Sequence, residues 1–283
     1  MKKSLLALIL LTSAAVTFPV RADVLLLVHG YLGGAHSWDS SGITTILQQR
    51  DWQRAGTYLA DPVGVRLIPA AGTQAERKFY SADLASEAPV RIQVMQLQAI
   101  LNAIEQAHPG EPLIIVGHSA GGVVARTALV LGSGKNVKSL ITIASPHLGT
   151  VRAEQALDAT DIPFPFSMVT DFFGGETYDI AMRSRSLYLD LVRPYPGTFL
   201  YWLNAQSHPD IKYISVVRGQ TGAGWGDYVV PGYSQDMNNV AALRGKASLV
   251  MIPVRHELAP ADGNVILDML AEPAAAAPAT GGK

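Results

Sequence analysis

The sequence predicts an α/β fold in which helices cover both faces of a mostly parallel central sheet, together with a helical, lid-like insertion. Apolar runs without polar alternation, which are typical of strands buried on both faces, alternate along the chain with stretches of helical periodicity. One such strand, at 113–116, leads through a sharp turn into a helix, as expected for a parallel sheet with crossover helices. The alternation stops over 151–210, which indicates an insertion.

The individual elements follow from where one periodicity gives way to the other. Strands are predicted at 23–30, 65–69, 113–116, 137–144, 211–217 and 248–254. Helices are predicted at 41–59, 90–107, 120–130, 178–191, 198–204 and 260–270. The polar stretch 72–86 is predicted to be a loop or a short helix.

The two ends of the chain are expected to lie outside the folded domain. Residues 1–22 have the form of a signal peptide: Lys2 and Lys3, then an apolar stretch, then Val20-Arg21-Ala22 as a small-residue cleavage site. Cleavage there predicts a secreted or periplasmic protein. The alternative is an uncleaved membrane anchor, although the apolar stretch is short for a spanning helix. The domain is expected over 23–272, with a disordered Ala/Pro/Gly-rich tail at 273–283.

Charge and cysteine content exclude several kinds of function. Without residues 1–22 the chain keeps 19 basic against 23 acidic residues, a net charge of −4. This balance disfavours nucleic acid or an anionic membrane held by bulk charge. The chain has no cysteine, which excludes a cysteine nucleophile, a thiolate metal site and thiol redox chemistry.

Ser119 is the candidate nucleophile. It is the centre of Gly117-His118-Ser119-Ala120-Gly121, a G-x-S-x-G pattern between an apolar strand and a helix. A serine at such a turn projects its hydroxyl above the sheet, and the flanking glycines let strand and helix approach closely. The alternative is a purely structural turn.

A second loop supplies candidate oxyanion donors. The first donor is expected to be the N–H of Ala120, directly after the serine. The neighbouring strand ends in His29-Gly30-Tyr31, so the N–H of Tyr31 is the favoured second donor and that of Leu32 the alternative. The alternative is that this loop is an ordinary glycine-rich connection without a role in catalysis.

The candidate base and acid lie after the last two strands. His256 follows the final strand, and Asp227 lies in the loop before it, with Asp236 as a rival acid further along. Neutral imidazole can take the serine proton, and a buried carboxylate holds the imidazole in the right tautomer. His147, although it follows a strand, is predicted to shape the cleft wall rather than carry protons.

One further acid and one further histidine do not fit this arrangement. His208 precedes a strand, at the wrong end of the sheet, and Asp262 lies beyond the histidine. The resulting order is Ser, Asp, His, which differs from the orders of the chymotrypsin and subtilisin types.

With these residues the chain resembles the α/β-hydrolase fold, and within it the secreted bacterial esterase/lipase group. The matching pieces are His29-Gly30-Tyr31, Gly117 to Gly121, Ser145-Pro146-His147-Leu148-Gly149, Asp227 to Pro231 and His256. The resemblance implies cleavage of carboxylic esters through an acyl-enzyme, without an organic cofactor. Some such lipases carry a structural calcium, but the sequence offers no convincing ligand cluster and we expect no metal site. Two departures are expected: the first two strands of the full fold are missing, and Tyr228 follows the acid where the family often has glycine.

Three functional alternatives stay open. A thioesterase, an amidase or a peptidase would use the same triad, and a binding protein could keep the fold without the chemistry. A membrane-tethered acyl hydrolase would follow from an uncleaved signal. The expected partner is a small-molecule or lipid ester, with transient contact to a lipid interface and no nucleic acid. The apolar segment Ile162 to Val169 suits a lid or acyl wall, whereas the plainer interpretation of the insertion is two helices packed on the domain.

Overall fold

The computed structural model of the protein describes residues 23–61, 63–72, 76–160, 179–219 and 226–271. The predicted signal peptide, the segment Ile162 to Val169 and the predicted tail lie outside the described residues.

A single eight-stranded sheet forms the centre of the fold, in the order β3-β2-β4-β1-β5-β6-β7-β8. Neighbouring strands are parallel except β2 and β3, which are antiparallel. This confirms the predicted mostly parallel sheet. The strands are β1 Val24–Val28, β2 Gln53–Asp61, β3 Gly64–Pro69, β4 Lys78–Asp83, β5 Leu113–His118, β6 Val137–Ile143, β7 Lys212–Arg218 and β8 Ala247–Ile252.

Helices cover both faces of the sheet. They are α1 Ser37–Ser40, α2 Ile43–Gln48, α3 Val90–Ala107, α4 Ala120–Val130, α5 Val151–Thr160, α6 Arg185–Leu191, α7 Phe199–Asn204, α8 Gly232–Gln235 and α9 Pro260–Leu270. Two short 3-10 helices follow α8, at Met237–Asn239 and Ala241–Leu243, and residues 179–183 are also helical.

Strand β1 shows why its sequence is continuously apolar. Leu26 and Val28 face a core shared with α3 and α4, whereas Leu25 and Leu27 face a second core that α2 and α9 cover. All five residues of β1 are buried, since successive side chains point to opposite, covered faces.

Two expectations about the first hundred residues are wrong. The helix predicted over 41–59 ends at Gln48, and Gln53–Asp61 forms β2. The predicted loop 72–86 contains β4, whose Phe79 to Ala82 are buried between β1 and β2. No described strand precedes β1, in line with the expected departure, and the hairpin of β2 and β3, which follows β1 in the chain, fills the sheet edge beyond β4. Polar residues in β4, such as the fully buried Ser81, hide this strand from a hydrophobicity pattern.

The described part of the insertion consists of packed helices. Leu187 and Leu191 of α6 and Leu200 and Leu203 of α7 join the same core as α3 and α4. This agrees with the plainer interpretation for those helices, and the lid-like role of the insertion 151–210, with Ile162 to Val169 as lid or acyl wall, stays a prediction. Among the described residues, no helix is both long enough and apolar enough to cross a membrane.

Candidate active site

Ser119 occupies a strained turn between β5 and α4. Its backbone has φ 50° and ψ −127°, a conformation that non-glycine residues rarely adopt outside functional sites. Its N–H donates to the carbonyl oxygen of Ile143 at the end of β6 (2.8 Å). The hydroxyl therefore stands at the carboxyl ends of the central strands, where a parallel α/β sheet places its functional groups.

Three glycines make this turn sterically feasible. A Cβ at Gly117 would lie 2.6 Å from the Cα of Gly122, and one at Gly121 would lie 2.1 Å from the carbonyl oxygen of His29. A Cβ at Gly122 would lie 2.1 Å from the Ser145 hydroxyl. The first two glycines belong to the five-residue pattern in the sequence, whereas Gly122 lies outside it.

The structure brings Ser119, His256 and Asp227 together from three different loops. The Ser119 hydroxyl lies 2.9 Å from Nε2 of His256, and Nδ1 of His256 lies 2.8 Å from Oδ2 of Asp227. With Nδ1–H donating to the carboxylate, Nε2 is left unprotonated and faces the serine. The arrangement can draw the serine proton toward the imidazole.

The Asp227 carboxylate is nearly buried and well supplied with donors. Its other oxygen, Oδ1, accepts from the N–H groups of Val229 and Val230 (2.7 Å each), and Gln235 Nε2 lies 3.2 Å from Oδ2. Burial acts to raise the pKa of this carboxyl. The hydrogen bond and charge of His256, with the two backbone donors, outweigh burial and hold the pKa below its ordinary value.

The rival acid and the acid beyond the histidine have other partners. The Asp236 carboxylate accepts from the N–H of Asn238 (2.9 Å) and thereby caps a 3-10 helix. The buried Asp262 carboxylate pairs with the guanidinium of Arg218. Of the acids weighed, the structure brings only Asp227 to His256 among the described residues.

Neither of the other two histidines that the sequence analysis weighed bonds to the serine. His147 is buried, and its Nε2 lies 3.0 Å from the Thr142 hydroxyl. His208 Nδ1 bonds to the carbonyl oxygen of Gln206 (2.9 Å). Burial lowers the pKa of both imidazoles, and both positions agree with a structural role.

His118 is a contact that the sequence analysis missed. Its Nε2 donates to the backbone carbonyl of His256 (2.9 Å), and the two rings lie 5.3 Å apart. Burial and the neighbouring His256 ring lower the pKa of His118 to about 3, so the imidazole stays neutral beside the triad. Its place directly before Ser119 was the available signal.

The His29 side chain anchors the loop after β1, and Gly30 of that loop packs closely against the nucleophile. His29 Nδ1 donates to the carbonyl oxygen of Gly30 (2.9 Å), while its Nε2 accepts from the N–H of Leu84 (3.0 Å). A Cβ at Gly30 would lie 2.8 Å from the Cβ of Ser119. In the described part of the chain, the N–H groups of Tyr31 and Ala120 donate to no other group. They remain the predicted oxyanion donors.

A cleft of about 560 Å³ opens at Ser119 and His256. It has apolar and hydroxyl-bearing walls, formed by Tyr31, Leu32, Ser37, Ser40, Ser41, Val229 and Leu258. The Tyr31 hydroxyl pairs with that of Tyr188 in α6, which ties the wall to the insertion. Over the described ranges, no group of three or more His, Asp or Glu side chains converges as metal ligands.

Solved structures share this fold at low sequence identity. The product of gene lin2722 of Listeria innocua has a TM-score of 0.61 at 16% identity, over 89% of this chain and 95% of its own. The mature lipase BlEst2 of Bacillus licheniformis has a TM-score of 0.54 at 17% identity, over 89% and 91%. At these identities the likeness establishes the fold alone.

Curated relatives match about half of the chain. A lysosomal thioesterase PPT2 homologue of Drosophila melanogaster is 28% identical over 142 residues, 50% of this chain. The protein SERAC1 of Danio rerio is 28% identical over 171 residues, 52% of this chain. These matches span 41% and 25% of the relatives' own lengths.

A family model described as alpha/beta hydrolase fold matches residues 23–168, from β1 through the strained serine turn and into the insertion. The matched range is just over half of the chain and includes the sheet centre from which Ser119 projects. The chain therefore belongs to the alpha/beta hydrolase fold family.

Proposed function

We propose that the protein is a serine hydrolase that cleaves carboxylic esters through an acyl-enzyme on Ser119. The observation that carries the proposal is the continuous chain of hydrogen bonds from Ser119 through His256 to Asp227. An open cleft lies at the Ser119 end of this chain. Nucleophile, base and orienting acid lie at the distances that acyl transfer requires.

The reaction follows from this geometry. Ser119 Oγ attacks the ester carbonyl carbon while His256 Nε2 takes the hydroxyl proton, and the carbonyl electron pair moves onto oxygen. The N–H groups of Tyr31 and Ala120 stabilise that oxyanion. The tetrahedral intermediate then expels the alcohol, which receives the proton from His256, and the acyl group stays on Ser119.

Water completes the cycle by the same route. His256 takes a proton from a water molecule that attacks the acyl-enzyme, and then returns the proton to Ser119 as the carboxylic acid leaves. Asp227 stabilises the imidazolium in both halves, since its carboxylate is ionised and hydrogen-bonded to Nδ1.

A thioesterase is the second candidate, because a relative at 28% identity is described as a lysosomal thioesterase homologue. Thioester cleavage would use the same attack and the same acyl-enzyme, and only the leaving group would differ. Amide or peptide cleavage, and a hydrolase-fold protein that only binds, complete the alternatives.

We also propose that residues 1–22 direct export, which mass measurement of the exported protein would test.

Hydrolysis rates of p-nitrophenyl esters from acetyl to palmitoyl, beside acyl thioesters, test the proposal with Ser119→Ala as the control. Rates that rise with acyl length and vanish in the variant indicate a lipase, and rates confined to short chains indicate a carboxylesterase. Turnover of thioesters alone supports the second candidate. Absence of turnover together with no labelling by a serine-directed fluorophosphonate would refute catalysis.

A further inference from the structure

We propose that Arg218 and Gln235 are positioning residues that fix the acid-bearing loop and the base-bearing loop relative to each other. The inference rests on the proposed function, since it concerns how Asp227 and His256 are held. Neither residue lines the cleft or bonds to Ser119, and neither was singled out by the sequence motifs.

Gln235 orients the acid through hydrogen bonds from both of its amide hydrogens and to its amide oxygen. The side chain is 1% exposed and lies at the end of α8. Its Nε2 lies 3.2 Å from Oδ2 of Asp227 and 2.7 Å from the carbonyl oxygen of Val230, while its Oε1 accepts from the N–H of Arg218 (2.8 Å). With both donors and the acceptor engaged, the amide has one orientation, and that orientation directs an N–H at the triad carboxylate.

Arg218 holds the base through its guanidinium. Its Nη2 donates to the carbonyl oxygen of Glu257, directly after His256 (3.0 Å). Nη1 and Nη2 also donate to the two carboxylate oxygens of Asp262 (2.6 and 2.8 Å). Arg218 and Asp262 are both fully buried, so the pair is rigid and shielded from solvent.

Arg218 and its partner Asp262 tie both loops to the sheet. Arg218 is the last residue of β7, and its carbonyl oxygen accepts from the N–H of Gly226, just before the acid. Asp262 in turn accepts from the N–H of Ala259 at the start of α9. One residue at a strand end therefore reaches the acid loop, the base loop and the helix that follows the base.

This arrangement is suited to precision more than to stability. A buried ion pair costs desolvation energy that its attraction roughly offsets, so stability alone does not explain it. An acid and a base from separate loops must hold their mutual geometry to within about 0.5 Å for efficient proton transfer. The contacts of Arg218 and Gln235 meet that requirement from behind the triad.

We call the contacts of Arg218 and Gln235 with the acid-bearing and base-bearing loops the frame. Gln235→Glu tests the frame with little change in side-chain volume. It removes the donor to Asp227 and places a second carboxylate beside it, which favours the protonated imidazole. We expect kcat on a p-nitrophenyl ester to fall about 10-fold or more, with KM within about 2-fold. The acid limb of the kcat/KM profile, which reports the base, should move to higher pH.

Arg218→Lys is the second variant, since lysine keeps the charge but cannot form the bidentate pair and the carbonyl contact together. The matched control is Arg193→Lys, because Arg193 forms a similar two-pronged pair with Glu154 on the surface. The frame predicts a loss of kcat in Arg218→Lys and none in the control. Losses that only follow the folded fraction, with an unmoved acid limb in Gln235→Glu, would overturn it.

A second readout separates this inference from the proposed function. The Nδ1 proton of His256, hydrogen-bonded to Asp227, gives a low-field proton resonance that needs no substrate. We expect that resonance to shift or broaden in Gln235→Glu and Arg218→Lys, and to stay unchanged in Arg193→Lys. If wild type turns over no ester, the proposed function fails while the resonance still tests the frame. An unchanged resonance in both variants would refute it.

Discussion

Gly121 lies so close to His29 that a Cβ on the glycine would stand 2.1 Å from the histidine carbonyl oxygen. The contact joins the first turn of α4 to the loop after β1, backbone against backbone. The predicted oxyanion donors, Tyr31 and Ala120, sit on the two sides of this contact. Their separation is therefore determined by main-chain packing rather than by adjustable side chains.

Gly121→Ala should disrupt the fold as well as the site. The added methyl group meets rigid backbone on β1, so α4 must shift away from the sheet, at a cost of about 3 kcal/mol or more. Urea unfolding of the variant, with fluorophosphonate labelling of Ser119, measures both effects. Gly132→Asn is the control, because nothing lies within 4 Å of its Cβ position and asparagine tolerates its positive φ. Equal stability of the two variants would contradict this prediction.

The sequence predicted the helices and strands whose burial is uniform. Helix α3 was predicted at its observed bounds, Val90–Ala107, because its apolar residues recur at the helical period. The helix Pro260–Leu270 was likewise predicted at its bounds, since a proline opens it. Strands β1 and β5 are recognisable in the sequence as continuous apolar runs, as expected for strands with two covered faces.

The wrong predictions fall where burial and polarity disagree. Strand β4 is buried but contains Ser81 and begins and ends with charged residues, so it resembles a loop in sequence. Similarly, the roles of His118 and Gln235 depend on contacts across 138 and 8 residues, which hydrophobic periodicity does not encode. The predicted triad residues could be named because each follows a strand end, whereas their supporting contacts could not.

Asp227→Asn should separate the two candidate acids. Asparagine can still accept from the N–H groups of Val229 and Val230, but its amide stabilises the wrong imidazole tautomer. A fall in kcat of about 10⁴-fold is expected on that ground. Asp236→Asn keeps the helix-capping oxygen and should leave kcat within a few-fold. Both variants are assayed on p-nitrophenyl butyrate. A larger loss in the Asp236 variant would assign the acid role there instead.

The buried histidines should make the protein acid-labile. Burial lowers the pKa of His29, His108, His118, His147 and His208, with values of about 3 for His118 and about 4 for His208. Below pH 6.5 the histidines therefore bind more protons in the unfolded chain than in the folded chain, and the free energy of unfolding falls as pH falls. This contribution to stability is lost progressively as pH falls below about 6.5, down to about pH 4 for His208 and about pH 3 for His118.

His147→Gln tests this linkage at a fully buried position. Removing one such histidine should reduce the slope of unfolding free energy against pH by up to about 1.4 kcal/mol per pH unit. Urea unfolding at pH 7, 6 and 5 gives the slope for wild type and variant. Parallel curves for the two proteins would show that His147 does not contribute.

Arg126 carries a buried charge with little compensation. Its side chain is fully buried in α4, and Nη2 donates to the amide oxygen of Asn204 (2.7 Å). In the described part of the chain, its Nε and Nη1 have no hydrogen-bond partner and no carboxylate pairs with it. Burial lowers the pKa of its guanidinium to about 9, which still leaves it protonated at neutral pH. The desolvation cost of this charge is therefore largely unrecovered.

Arg126→Met should consequently raise the free energy of unfolding by about 1 kcal/mol or more, although arginine is usually costly to remove from a core. Methionine fills a similar volume without the charge, and among the described residues the one hydrogen bond lost is that to Asn204. Arg126→Lys keeps a buried charge and should bring no gain. Urea unfolding at pH 7 compares the three proteins. A loss of about 3 kcal/mol in the methionine variant is what a compensated charge would give, and would contradict the prediction.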